Sequence, residues 1–122
     1  MSNGGYVYLL CDQSKDRIYK IGVTRGSIEK RIKKLQTGNS GEITLSRYFK
    51  SDYPFIVEKM MHMKYTGNNI RNEWFELDDE SAFDFPKECE KFENNLKSLK
   101  DNPFFNKKQN ANNYGKRNDK NV

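Results

Sequence analysis

"YVYLLCDQSKDRIYKIGVT", residues 6–24, is the stretch on which the fold turns. Residues 6–11 are aromatic and aliphatic, the composition of an extended segment. Residues 12–16, "DQSKD", supply turn formers, and "RIYKIGV" runs on as a second extended segment, so the two read as an antiparallel hairpin. Strand alternation places Ile18, Lys20 and Gly22 on one face of the second segment and Tyr19, Ile21 and Val23 on the other. Tyr6, Tyr8 and Leu10 share a face of the first. A register that aligns the segments puts Tyr8 and Lys20 on the same side. A hairpin that only built a core needs no cation beside its apolar centre, so Lys20 asks for a partner.

Outward from the hairpin, "SIEKRIKKLQTGN" (27–39) carries the marks of a helix. Ser27 suits the N-cap, Glu29 the positive end, and Gly38 the C-terminus. Ile28, Ile32 and Leu35 form a narrow apolar stripe bordered by Arg31, while Lys30, Lys33 and Lys34 spread outward. "EITLSRYF" (42–49) alternates as a third strand. "SDYPFIVEKMMHMKYTG" (51–67) reads as a second helix with Pro54 in its first turn and Gly67 at its stop. Its faces read as Phe55, Glu58, His62 and Tyr65 on one side and Ile56, Met60 and Met63 on another. "RNEWFEL" (71–77) is a short extended segment holding the single tryptophan, and residues 78–99 read as a capped turn and an amphipathic helix interrupted near Pro86.

The expected architecture is α+β, with a three-stranded antiparallel sheet flanked by helices in one domain over residues 1–100. A disordered Asn/Lys-rich basic tail is expected over 101–122. With 34% hydrophobic and 32% charged residues the core is small and the surface highly charged. No apolar run approaches the roughly 18 residues of a membrane span. The N-terminal residues lack the marks of a secretory signal, and Cys11 and Cys89 have no metal-ligand spacing, so an intracellular, non-secreted protein with reduced thiols is expected.

Charge is segregated. Residues 15–64 hold twelve Lys/Arg against five Asp/Glu, residues 73–93 hold two Lys against nine Asp/Glu, and the tail from Lys100 holds six positive and two negative residues. A basic first half and basic tail suit a polyanion.

The residues able to carry chemistry are Tyr8, Tyr19, Lys20, Arg31, Glu58 and His62. Each also has a structural reading as packing or solvated charge. Glu58 stands out because a carboxylate among aromatic residues needs a partner or a metal. Together they suit phosphodiester hydrolysis. One carboxylate holds a hard divalent cation, a guanidinium matches a phosphate, and a phenol serves as base only where a cation lowers its pKa from about 10.

"YVYLL", "YKIGVT", "VEKMMH" and "NEWFEL", in that order, resemble the GIY-YIG nuclease superfamily, and more closely its branch in phage and large-DNA-virus proteins, over residues 5–77. The resemblance implies an intracellular, divalent-metal-dependent DNA endonuclease that uses Mg2+ or Mn2+ and cuts one strand per active site. It implies Tyr8 as base or water-positioning group and Lys20 at the usual place of a second tyrosine. Arg31 would lie on the phosphate and Glu58 on the metal. Tyr19, Gly22, His62 and Glu73 take supporting roles, and Lys30, Lys33 and Lys34 contact DNA that is duplex, branched or nicked, with no membrane partner. The alternatives are a non-cleaving nucleic-acid-binding module of the same fold, or a protein-interaction domain using its acidic 73–93 segment.

Overall fold

The computed structural model describes residues 4–100. The expected tail, 101–122, lies outside them. Its central element is β1 (Gly5–Asp12), which pairs antiparallel with β2 (Ile18–Thr24) on one side and with β3 (Ile43–Ser51) on the other. Paired on both sides, β1 is covered on both faces, which is why residues 7–10 run without a polar break and all four are buried. The β1–β2 turn closes at Arg17, whose φ is 61°.

The sheet has five strands where three are expected. A short hairpin of β4 (Asn69–Arg71) and β5 (Trp74–Glu76) adds to the free edge of β2, giving the order β3-β1-β2-β5-β4. Three-residue strands offer too little alternation to be read from residue types alone. This hairpin exists because β2 supplies an edge and because Asn72 takes a positive φ of 53° at the turn. The Asn69 amide also donates to the carbonyls of Asn72 and Trp74 at 2.9 and 3.1 Å.

Helix α1 (Ile28–Gln36) crosses one face of the sheet. Ser27 Oγ accepts from Lys30 N at 3.2 Å as its N-cap, and Ile28, Ile32 and Leu35 pack on Tyr8, Leu10 and Ile43. Helices α2 (Pro54–Lys64), α3 (Asp79–Phe83) and α4 (Phe85–Lys100) follow, and the opposite face holds the larger core. There Val7, Leu9, Ile21 and Phe75 meet Val57 and Met61 of α2 and Phe85 and Cys89 of α4. Cys11 and Cys89 are free thiols, and burial pushes Cys89 well above the usual thiol range.

The buried side of α2 is neither of the two faces its spacing suggests. Val57 and Met61 are buried, while Ile56 and Met63 are 44% and 67% exposed. Apolar residues surround this helix, so periodicity alone does not choose the inward side.

Asp12, 1% exposed, ties the hairpin turn to the loop after α1. Its carboxylate accepts from Ser14 Oγ at 2.6 Å, Ser14 N at 2.9 Å and Asn39 Nδ2 at 3.0 Å. These bonds, the Ser14 hydroxyl first and Asn39 next, hold its pKa down to about 2. A depressed folded-state pKa contributes stability above the unfolded value that is lost as pH falls through the folded one. Thermal unfolding across pH 5 to 2 is therefore expected to show the melting temperature dropping from pH 4 downward. Asp12→Asn should be less stable at pH 7 and flatter through that window; an equal slope in both proteins would remove Asp12 as a cause.

Candidate functional site

The site forms where β2 runs beyond its partner β5. Their pairing ends at Lys20↔Trp74, and past that point the carbonyl of Ile21 is taken by His62 Nε2 of α2 at 2.9 Å. A carbonyl only accepts, so Nε2 carries the hydrogen. The same nitrogen lies 3.3 Å from Oε2 of Glu58, one turn earlier on α2, and the imidazole stands edge-on to Phe75 at 5.0 Å. Three contacts fix the ring, and the ring fixes the carboxylate.

On β1, Tyr8 sits opposite Gly22. Its ring lies across the glycine so closely that a Cβ there would come within 2.5 Å of the phenol oxygen. Gly22 is what lets the Tyr8 hydroxyl reach this edge. Arg31 Nε of α1 donates to that hydroxyl at 3.3 Å.

The charges are mutually felt. Burial raises the Tyr8 pKa above 10 against the opposing pull of Arg31, with Glu73 and Glu58 adding to the rise. Burial also raises Glu58 above the usual carboxylate range, while His62 and Lys20 pull it down and Glu73 pushes it up. Arg31 is held more firmly charged, chiefly by the Tyr8 bond. Tyr8, Arg31, Glu58, His62 and Glu73 thus share one neighbourhood.

Lys20 is in the same place with a different partner from the one expected. It lies on the Tyr8 face, one register step away opposite Leu10, but its ammonium pairs with Glu73 at 3.2 Å and sits 5.5 Å from the Trp74 ring centroid. The cation acting on Tyr8 is Arg31. Since burial outweighs it, Tyr8 is a neutral phenol at pH 7, suited to holding a water or a phosphate oxygen and unsuited to being a resting base. Tyr19 points to the other face, against the main core, and stands apart from the site.

Lys30, Arg31 and Lys34 line an open cleft of about 430 Å³ with Thr24, Gly26 and Ser27 at the N-terminal end of α1. Lys33 is exposed outside it. This cleft opens directly beside the Tyr8–Arg31 pair, and its rim of three cations and a helix N-terminus suits a phosphate.

Among the described residues no three His, Cys, Asp or Glu side chains gather into a metal cage. Glu58 offers a single carboxylate, held by His62 through Oε2. That donor set fits Mg2+ or Mn2+, which bind through one or two carboxylates and complete their shell with water and substrate phosphate. Burial is the first cause of the rise in the Glu58 pKa, with His62 and Lys20 pulling against it.

Sequence reading missed one feature beside the site. A second cleft, of about 310 Å³, is lined by Lys15, Ile18, Asn39, Ile70, Arg71 and Trp74. The lone tryptophan was its signal, but only the β4–β5 hairpin places it.

Compared with known proteins, residues 5–113 match a protein family described as the T5orf172 domain. The match corrects the resemblance to the GIY-YIG superfamily, since the family it identifies is a different one. The motifs that carried that resemblance are β1, β2, a turn of α2 and β5. Their letters follow largely from alternation between core and open face, and short strands of that kind specify a family less than a pattern spanning 109 residues. No curated protein and no solved structure matches the chain.

Proposed function

The chain belongs to the T5orf172 domain family, and we propose that it is a divalent-metal-dependent nuclease that hydrolyses phosphodiester bonds in DNA, one strand at a time. The observation that carries this reading is the convergence of Glu58 and Arg31 on Tyr8. A guanidinium of α1 is bonded to a neutral phenol of β1, and a half-buried carboxylate of α2 is near enough to add to the rise in that phenol's pKa.

The roles follow from the groups. Arg31 keeps its Nη donors for phosphate while Nε is held by Tyr8, which fixes the plane of the guanidinium. Lys30 and Lys34 add cationic rim to the same cleft. Tyr8, with its own O–H still to donate, positions a water or a phosphate oxygen. His62 holds Glu58, and Glu73 holds Lys20. Glu58 is the residue that would hold Mg2+ or Mn2+, and a bound cation supplies charge compensation on the phosphate oxygens. In the reaction a water oxygen bonds to phosphorus, the bond from phosphorus to the departing sugar oxygen breaks, and a proton passes from the water side to the leaving oxygen. No helix among the described residues is long and apolar enough to cross a membrane.

A second reading is a nucleic-acid-binding module that does not cleave, favoured by the burial of Tyr8 at 1% exposure. Supercoiled plasmid separates the two. The nuclease converts it to open circles with Mg2+ or Mn2+ and not with EDTA, and Arg31→Ala lowers the rate by about a hundredfold, the scale for losing a transition-state charge partner. Band shifts indifferent to metal, with the plasmid intact, would establish the binding module instead.

A further inference from the structure

Ile18, the β2 residue of the second cleft, lies four residues along the strand from Gly22, about 13 Å at strand spacing. The cleft has the ingredients of a subsite for one nucleobase. Trp74 supplies a large π surface, and Ile18 and Ile70 supply apolar walls. Ile70 is 53% exposed on an edge strand whose three residues all face solvent, an apolar group that the fold does not use. Arg71 puts positive charge on the rim, and Lys15, paired with Asp12 at 3.6 Å, stands beside it. Asn39 is pre-oriented. Its amide nitrogen donates to Asp12 Oδ2 at 3.0 Å and to the Gly41 carbonyl at 2.8 Å, which fixes the side chain and leaves Oδ1 as an acceptor with no donor among the described residues. The bonds from Asn69 that pin the β4–β5 turn hold the far wall rigid.

We propose that this cleft binds an unpaired base of a polynucleotide strand, stacked on Trp74, while a neighbouring phosphate of the same strand lies on Arg31. A base inside a duplex is stacked above and below and cannot enter an aromatic-floored recess. The cleft therefore selects substrates with unpaired nucleotides near the cleaved bond, such as single strands, flaps or mismatches. Volume, apolar walls and one fixed polar acceptor are the features of small-ligand sites, and aromatic stacking with a cationic rim is how single strands are held without sequence preference. Asn39 Oδ1 adds a place to receive an exocyclic amino group. The choice of strand near the cleaved bond rests on the nuclease reading; the occupation of the cleft does not.

Trp74 is the single tryptophan, so its fluorescence reports the cleft directly. The full chain, in EDTA so that nothing is cleaved, is titrated with a single-stranded 15-mer, with the same sequence as blunt duplex, and with free dAMP. The single strand is expected to quench the emission by at least half and to bind at least tenfold more tightly than the duplex, with dAMP a hundredfold weaker than the strand. Ile70→Ala and Arg71→Ala, both at exposed positions that leave the fold intact, should each weaken single-strand binding by about fivefold and reduce the quench. Equal quenching by duplex and single strand would overturn the proposal. So would single-strand binding without a change in emission, and so would dAMP binding as tightly as the strand, which would mark a mononucleotide site. Plasmid nicking with metal is a separate readout, so loss of the nuclease reading and loss of the base subsite are told apart.

Discussion

Glu58→Gln is expected to abolish metal-dependent nicking, by about a thousandfold or more, which is about 4 kcal/mol at 1.36 kcal/mol per decade. The substitution is close to isosteric. The amide oxygen still accepts from His62 Nε2, so α2 and the Ile21 contact stay in place. Only the charge is lost, and with it the hold on a divalent ion. Two further readouts separate this from simple damage. Without metal, Glu58 is a negative charge beside a phosphate site, so the glutamine variant should bind DNA in EDTA at least as tightly as wild type. The Glu58 pKa is raised in the folded protein, first by burial. A raised carboxylate pKa means that stability is lost as pH rises through it, because the ionised form is the one the fold disfavours. Glu58→Gln should therefore melt at a higher temperature than wild type at pH 7, and the gap should close below about pH 4, the unperturbed glutamate range. Full activity in this variant would remove Glu58 from the chemistry. A lower melting temperature would mean that the carboxylate is structural.

The same raised pKa accounts for how the site reads in the sequence. Glu58 stands out there because a carboxylate between Phe55 and Tyr65 needs a partner, and the structure supplies one in His62, one turn away, although burial still holds its pKa up. That is an i, i+4 relation, local and legible. Ser27 as a cap and Pro54 at the start of α2 are legible on the same grounds, being decided within a turn of the chain. Arg31 bordering the α1 stripe is local too, and the stripe's packing on Tyr8 and Leu10 brings the guanidinium to the phenol.

What residue types could not decide depends on pairing across distance. The partner of Lys20 is set by β5 docking on β2, fifty-odd residues later, and without that register a lysine on the Tyr8 face looks like the cation that activates the phenol. The sign of the Tyr8 shift depends on burial under α1, which no spacing reveals. The outward face of α2 is ambiguous for a different reason. Its apolar residues exceed what one face can hold, so Ile56 and Met63 are left in solvent. The family likewise lies in the long pattern more than in the motifs, which is why four short matches pointed to one superfamily and 109 residues to another family.

Gly22→Ala tests the geometry that joins these parts. A methyl at residue 22 would lie 2.5 Å from the Tyr8 Cε1 and hydroxyl oxygen and 2.6 Å from Cζ, well inside contact distance. The ring is buried and cannot swing into water, so it must be displaced toward α1 or out of its rotamer. Such overpacking costs about 1–3 kcal/mol. In a domain of this size each kcal/mol lowers the melting temperature by about 4–8 °C. The Arg31 bond to the Tyr8 hydroxyl breaks in the same movement, so cleavage should fall by at least tenfold in the fraction that remains folded. Tyr8→Leu shortens the side chain that occupies the glycine's space. In that background the second change, Gly22→Ala, should cost less than half of what it costs alone, a coupling read from a double-mutant cycle of melting temperatures. If alanine is accepted at residue 22 with no loss of melting temperature, or if the two costs simply add, then the phenol does not cross the glycine. The route by which Tyr8 reaches Arg31 and Glu58 would be lost with it.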